Sequence, residues 1–189
     1  MTLNGTGAVG GVQAGYNWQL NPSMLLGLEG DWDAANINVS NSFSPVTIGG
    51  VPLPGPTTAT ASRKVDWLAS IRGRLGVTFN QTLLYVTGGA AFSRIDYAAC
   101  FNCNLLAGPS YYPTTFSSTK TGGVAGVGVE QALAGKWSAR AEYLYYQFGG
   151  ATSTAFPTPP NPPFTIVDTW AMTKVQTARV GLDYKFGGP

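Results

Sequence analysis

The side chains of this chain that could do chemistry are two cysteines, a set of charged residues on alternating positions, a few serines among them, and two glycine-rich runs. Cys100-Phe101-Asn102-Cys103 has the spacing of half a zinc or dithiol redox site. The chain holds no third cysteine and no histidine, so no second Cys/His pair completes a tetrahedral set. A disulfide and a pair of free thiols both remain open on spacing alone. Arg140 and Glu142 lie two apart, hence on one face of a strand, and could serve as an acid/base pair or as part of an ion path. Ser70 and Ser138 have no histidine to activate them as nucleophiles. Gly88-Gly89 and the run from Gly122 to Gly128 lack a following Lys-Ser/Thr and any helical pattern, so they make no phosphate-binding loop. On strands, glycine instead permits strong curvature and close side-chain packing. No catalytic residue, metal site or cofactor is expected.

Composition narrows the class that must position these groups. Of 189 residues 11% are charged and 25 are Gly; soluble domains average roughly 25% charged and roughly 7% Gly. A scattered net charge of +2 offers no footprint for nucleic acid. No apolar run approaches the ~18 residues of a membrane helix. The length suits a single domain, residues 1–189.

The pattern that remains has period two. In Val65 to Phe79 the odd positions, Val65, Trp67, Ala69, Ile71, Gly73, Leu75, Val77 and Phe79, carry no polar side chain, while the even positions include Asp66, Ser70, Arg72, Arg74 and Thr78. A helix would scatter those charges around its circumference; a strand puts them on one face. Ala8 to Leu20, Met24 to Ala34, Leu83 to Tyr97, Thr119 to Leu133, Trp137 to Phe148 and Val175 to Phe186 repeat the alternation.

With the apolar parity turned outward, the inner face collects Glu29, Asp31, Asp33, Asp66, Arg72, Arg74, Glu130, Arg140, Glu142, Arg179, Asp183 and Lys185, twelve of the twenty charged residues. No charge falls mid-strand on the apolar face, where Arg or Lys would cost about 2–4 kcal/mol at a bilayer midplane. A soluble sandwich has the reverse arrangement, with charge on the solvent face and an uncharged core. Seven acidic and five basic inner side chains can pair almost completely, which predicts a packed interior of mixed sign.

Tight turns at Asn21-Pro22-Ser23, Asn80-Gln81-Thr82 and Ala134-Gly135-Lys136 alternate with long connections, roughly Ile37 to Lys64, Ala98 to Ser118 and Gly149 to Thr173. That asymmetry is the habit of outer-membrane barrels, with short periplasmic turns and long outer loops. Trp18, Phe79, Trp137, Tyr184 and Phe186 would line the periplasmic rim, and Trp32, Trp67, Phe92, Tyr143 and Tyr145 the outer one. The fold class expected is therefore all-β, an antiparallel up-and-down transmembrane barrel.

The segments GGVQAGYNWQL, GLEGDW, IRGRLGV, LLYVTGGAAFS, AGVGVEQAL, WSARAEYLYYQFG and RVGLDYKFG, met in this order, resemble the porin-like outer-membrane β-barrel family of alphaproteobacteria. Its members look like small OmpA/OmpX-type eight-stranded barrels. The resemblance implies residence in the bacterial outer membrane, outer-membrane lipid and the barrel-assembly machinery as partners, and structural or surface roles such as that of an antigen. An oxidising cell surface then favours a disulfide between Cys100 and Cys103 over free thiols.

Two departures from the family shape the expectations. The chain opens on Met1-Thr2-Leu3-Asn4-Gly5-Thr6 and enters the family's second strand, so a signal peptide and an aromatic-rich first strand have no counterpart. Seven hairpin-connected strands leave the first and last running the same way. A strand of opposite direction, from a missing segment, an oligomer or a strand-donating chain, is expected between them; one parallel pairing is the alternative closure. At the far end Gly187-Gly188-Pro189 follow Phe186, where relatives tend to finish on the aromatic that the assembly machinery reads. A structural barrel is the leading function. A narrow pore, or a haem or small-ligand receptor using Tyr111, Tyr112 or Tyr145 in place of His, is the alternative, and a soluble β-sandwich binding module the third.

Overall fold

A computed structural model describes residues 7–43, 47–48, 51–52, 59–101, 112–155, 166–170 and 172–186. The strands in chain order are β1 (Gly7–Asn21), β2 (Met24–Phe43), β3 (Thr47–Ile48), β4 (Val51–Pro52), β5 (Ala59–Phe79), β6 (Thr82–Phe101), β7 (Tyr112–Ala132), β8 (Trp137–Phe148), β9 (Ala151–Ala155), β10 (Ile166–Trp170) and β11 (Thr173–Tyr184). Seven of them form one antiparallel up-and-down sheet in the order β1-β2-β5-β6-β7-β8-β11. The pairs β3-β4 and β9-β10 sit on the long connections. Among the described residues there is no helix.

The short turns follow local chemistry. Asn80 takes φ 55 in the β5–β6 turn and Gly135 takes φ 68 before β8, a left-handed conformation that Asn and Gly adopt at low cost. In the β1–β2 turn the Asn21 side-chain carbonyl accepts a 2.9 Å hydrogen bond from the Ser23 amide.

Period-two alternation becomes burial. Along β8, Ser138, Arg140, Glu142, Leu144, Tyr146 and Phe148 are buried while Trp137, Ala141 and Tyr143 are exposed. The outward face of the sheet carries the large exposed apolar residues, among them Val12, Leu28, Ile71, Leu75, Val86, Val127, Tyr143 and Leu182. From Trp67 to Phe79 the twelve steps of β5 span ~40 Å along the strand, or ~28 Å of height at the ~45° tilt usual in barrels. That matches the ~25 Å apolar band of an outer-membrane barrel.

Two features differ from the period-two reading. The strands β2, β5, β6 and β7 run 20 or 21 residues, well into the segments expected as loops. Alternation persists there in Ser, Thr, Asn and Ala, whose hydropathy contrast is too weak to reveal it, because no lipid has to be faced. The parity of β5 is also broken. Val65 pairs with Ile95 and Trp67 with Arg94, which leaves Asp66 as the extra residue of a bulge. Beyond that bulge Val65 and Arg63 point inward, so the apolar face of Val65 to Phe79 is continuous only from Trp67 onward.

The outer half of the interior is an apolar cluster of Ile37, Val65, Leu68, Ala91, Ile95, Tyr97, Val124, Leu144, Tyr146, Phe148 and Val175. The sheet curls but is not closed by backbone pairing. Its end strands, β1 and β11, run in the same direction, and among the described residues a side-chain hydrogen bond links them: Gln13 Nε2 donates to Asp183 Oδ1 at 2.6 Å, while Gln13 Oε1 accepts from Arg140 Nη1 of β8 at 3.0 Å. Val180 on β11 is 89% exposed and Val12 on β1 74%, against 44% for Leu75 mid-sheet. Among the described residues each end strand has no hydrogen-bonded strand along its outer edge.

Candidate functional site: the interior charge network

Below the apolar cluster, toward the short turns, the interior is a tier of guanidiniums and carboxylates. Arg72 is the hub and is 0% exposed. Its Nη2 lies 2.5 Å from Glu29 Oε1, its Nη1 2.8 Å from Glu142 Oε1 and its Nε 3.2 Å from Asp31 Oδ2. One side chain of β5 is thereby tied to both β2 and β8. The even parity of β5, the odd parity of β2 and the even parity of β8 aim these groups at one another.

The other basic groups extend the network. Arg140 Nη1 meets Glu29 Oε2 at 2.6 Å, and its Nε meets Asp183 Oδ2 at 3.0 Å. Arg74 Nη2 is 3.1 Å from Glu130 Oε2 and its Nη1 3.6 Å from Glu29 Oε2. Arg179 Nη1 reaches Asp33 Oδ2 at 2.7 Å and Asp31 Oδ1 at 3.3 Å. At the mouth the half-exposed Lys185 ends 3.6 Å from Glu130 Oε1.

Eleven of the twelve residues assigned to the inner face join this network. Asp66 does not. The bulge turns it to the outer surface, where its carboxylate pairs with Lys64 Nζ at 2.9 Å. Arg63, which the sequence placed in a connection, is buried and points inward over the Tyr97 ring, 5.8 Å from its centroid. Cys100, at the end of β6, is disulfide-bonded; Cys103 lies outside the described residues, as does Tyr111.

Several partners were not assigned to the charge network by sequence. Tyr85 sits between Arg74 and Arg140, whose guanidinium carbons lie 5.0 and 5.9 Å from its ring centre, and its hydroxyl donates to Glu142 Oε1 at 3.2 Å. Tyr146 accepts a hydrogen bond from Arg179 Nη2. Asn17 Oδ1 accepts from Arg74 Nε at 2.9 Å, and Ser138 donates to Glu130 Oε1 at 2.7 Å. Tyr146 and Ser138 share the parity of Arg140 and Glu142, whereas Tyr85 and Asn17 lie on strands whose inner face carries no charge, and an aromatic ring there looks apolar until its hydroxyl is counted.

Chemically the charges of the network are paired with one another. Every network carboxylate has a cationic partner within 4 Å. A buried ion pair is tolerated only with such geometry, and once formed it locks the strands that carry it. Among the described residues no group of His, Cys, Asp and Glu is arranged to hold a metal ion.

Comparison with known proteins agrees with this architecture. Residues 2–186 match the family described as outer membrane protein beta-barrel domain. The chain is 35% identical over 183 residues to the 31 kDa outer-membrane immunogenic protein of Brucella melitensis, covering 95% of this chain and 67% of that protein; the Brucella suis protein of the same name matches equally. It is 30% identical over 139 residues to the 22 kDa outer membrane protein of Rhizobium leguminosarum bv. viciae, covering 74% of this chain and 52% of the relative. With an all-β antiparallel sheet, an outward apolar band and relatives in the alphaproteobacterial outer membrane, the chain belongs to the outer-membrane β-barrel protein family and resides in that membrane.

Proposed function

We propose that this protein is a structural and surface component of the outer membrane, with a side-chain-filled interior and neither a catalytic centre nor a conducting path. The observation that carries this reading is Arg72, fully buried and held by carboxylates of two other strands, so that its side chain blocks the lumen between them. An interior filled to this degree has the character of small barrels, whose lumen holds their own side chains and little else. The Brucella relatives are named immunogenic, and strands that project past the apolar band would offer this chain's surface to the outside in the same way.

In the same reading, the seam between β1 and β11 is closed in the membrane by one further antiparallel strand, from another segment or another chain. Unpaired backbone groups in hydrocarbon cost several kcal/mol each, so an open edge does not persist there. The barrel-assembly machinery is the partner that would insert it. The test is conductance of the purified chain in a planar bilayer. Silence, with insertion verified by protease protection, is the expected result; steady multi-nanosiemens steps would replace this reading with that of a pore.

A further inference from the structure

The four longest strands carry a polar platform on their outer face, just beyond the apolar band. Their register aligns Asn38, Lys64, Asp96 and Ser117 in one row across β2, β5, β6 and β7. The next outward-facing row presents hydroxyls on three of these strands, with the small Ala98 between them. The two rows line a groove of about 690 Å³. Beneath it, on the inner face, Tyr97 stacks on Phe116 with centroids 4.8 Å apart and planes 9° from parallel, and Arg63 covers Tyr97. That packing stiffens the backbone from which the platform projects.

The chemistry of the platform is specific. Lys64 pairs with Asp66, and Arg94 Nε lies 3.7 Å from Asp96 Oδ1, so two cations and two carboxylates leave it near neutral. A hydrogen bond from Ser117 holds the Asp96 carboxyl below its ordinary range. Paired charges leave recognition at the platform to hydrogen bonds rather than to net charge. A dense mixture of amide, hydroxyl, ammonium and carboxylate groups around a flat alanine suits vicinal hydroxyls, which both donate and accept.

Position selects the source. Lys64 stands three residues beyond Trp67 on β5, ~10 Å along the strand. Trp32 and Phe92 flank Ala69, the next outward residue of β5 after Trp67, and an aromatic cluster of this kind on the outer face marks the headgroup level. The platform is thus continuous with the lipid-facing band and lies at the depth of the outer-leaflet headgroups, which in an outer membrane are sugars carried on lipid. We propose that the platform docks the saccharide headgroup of the outer-leaflet glycolipid, a sugar ring lying over Ala98 with its hydroxyls on Asn38, Asp96 and Ser117, and the acyl chains running down past Trp67 and Ile71.

The full chain in detergent micelles, titrated with short-core lipopolysaccharide and read by native mass spectrometry, tests this. Asn38→Ala with Ser117→Ala should weaken binding about tenfold, the loss of two net hydrogen bonds. Gln176→Ala, on the outer face of β11 and away from the platform, should change nothing. Both platform side chains are exposed, so the double variant keeps the fold, checked by its circular dichroism. Equal binding by wild type and double variant would overturn the proposal. Competition by inorganic phosphate would overturn the sugar as the recognised group. Competition by the free core oligosaccharide as strong as by the intact glycolipid would overturn the lipid as its source.

Discussion

Replacing Arg72 with methionine, an apolar side chain of similar reach, tests whether the interior network holds the barrel together. The three carboxylates around Arg72 do not suffer equally. Glu29 keeps Arg140 at 2.6 Å and Arg74 at 3.6 Å, and Asp31 keeps Arg179 at 3.3 Å and the Ser70 hydroxyl. Glu142 keeps only the Tyr85 hydroxyl at 3.2 Å, so it is the group left charged and stranded. Removing one partner of a buried pair costs about 3–5 kcal/mol, most of it the uncompensated charge that remains. Urea unfolding of the chain in lipid vesicles should show a loss of that size for Arg72→Met. Adding Glu142→Gln should return more than half of it, because the orphaned charge is gone while the amide still accepts from Tyr85. A loss below about 1 kcal/mol for the single variant, or no recovery in the double, would show that the ion pairs do not restrain the fold.

Other perturbations address the packing, the band and the seam. A Cβ on Gly128 would fall 2.3 Å from Tyr85 Cζ, and that ring is clamped between two guanidiniums; Gly128→Ala should cost about 1–3 kcal/mol by overpacking, whereas Gly181→Ala, with nothing within 4 Å, should be nearly neutral in the same urea assay. In intact cells a membrane-impermeant maleimide should label Lys64→Cys and spare Leu75→Cys; labelling of both would remove the apolar band from the bilayer. Joining to the chain a strand of alternating apolar residues, able to lie antiparallel between β1 and β11, should raise the thermal midpoint and the heat-modifiable compaction on gels. No change in either would mean that the seam is already closed without it.

How much of this was legible in the sequence depends on whether lipid or charge enforced the alternation. From Trp67 to Phe79 each outward position must meet hydrocarbon while Ser70, Arg72 and Arg74 meet the interior carboxylates, so the period is plain and the strand was read to its last residue. From Ala59 to Ser62 neither constraint acts, and a strand of small and hydroxyl residues passed for a loop. The bulge at Asp66 shifts parity by one without any change in residue type that would announce it, which is why a charge was assigned inward that lies outside. The aromatic partners Tyr85 and Tyr146 were hidden for another reason: hydropathy counts their rings, while the network uses their hydroxyls.

The central claim is an apolar band facing lipid around an interior filled by its own side chains, and a spin-label scan along β5 tests it most directly. Labels at Trp67, Ile71, Leu75 and Val77 should be relaxed by oxygen, which partitions into hydrocarbon. Labels at Leu68, Ser70 and Thr78 should be reached neither by oxygen nor by a water-soluble nickel chelate. Beyond the Asp66 bulge the parity should invert, with Lys64 and Ser62 open to the chelate and Val65 shielded. Chelate access at Leu68 and Ser70 equal to that at Lys64 would reveal a water-filled channel and contradict the packed interior.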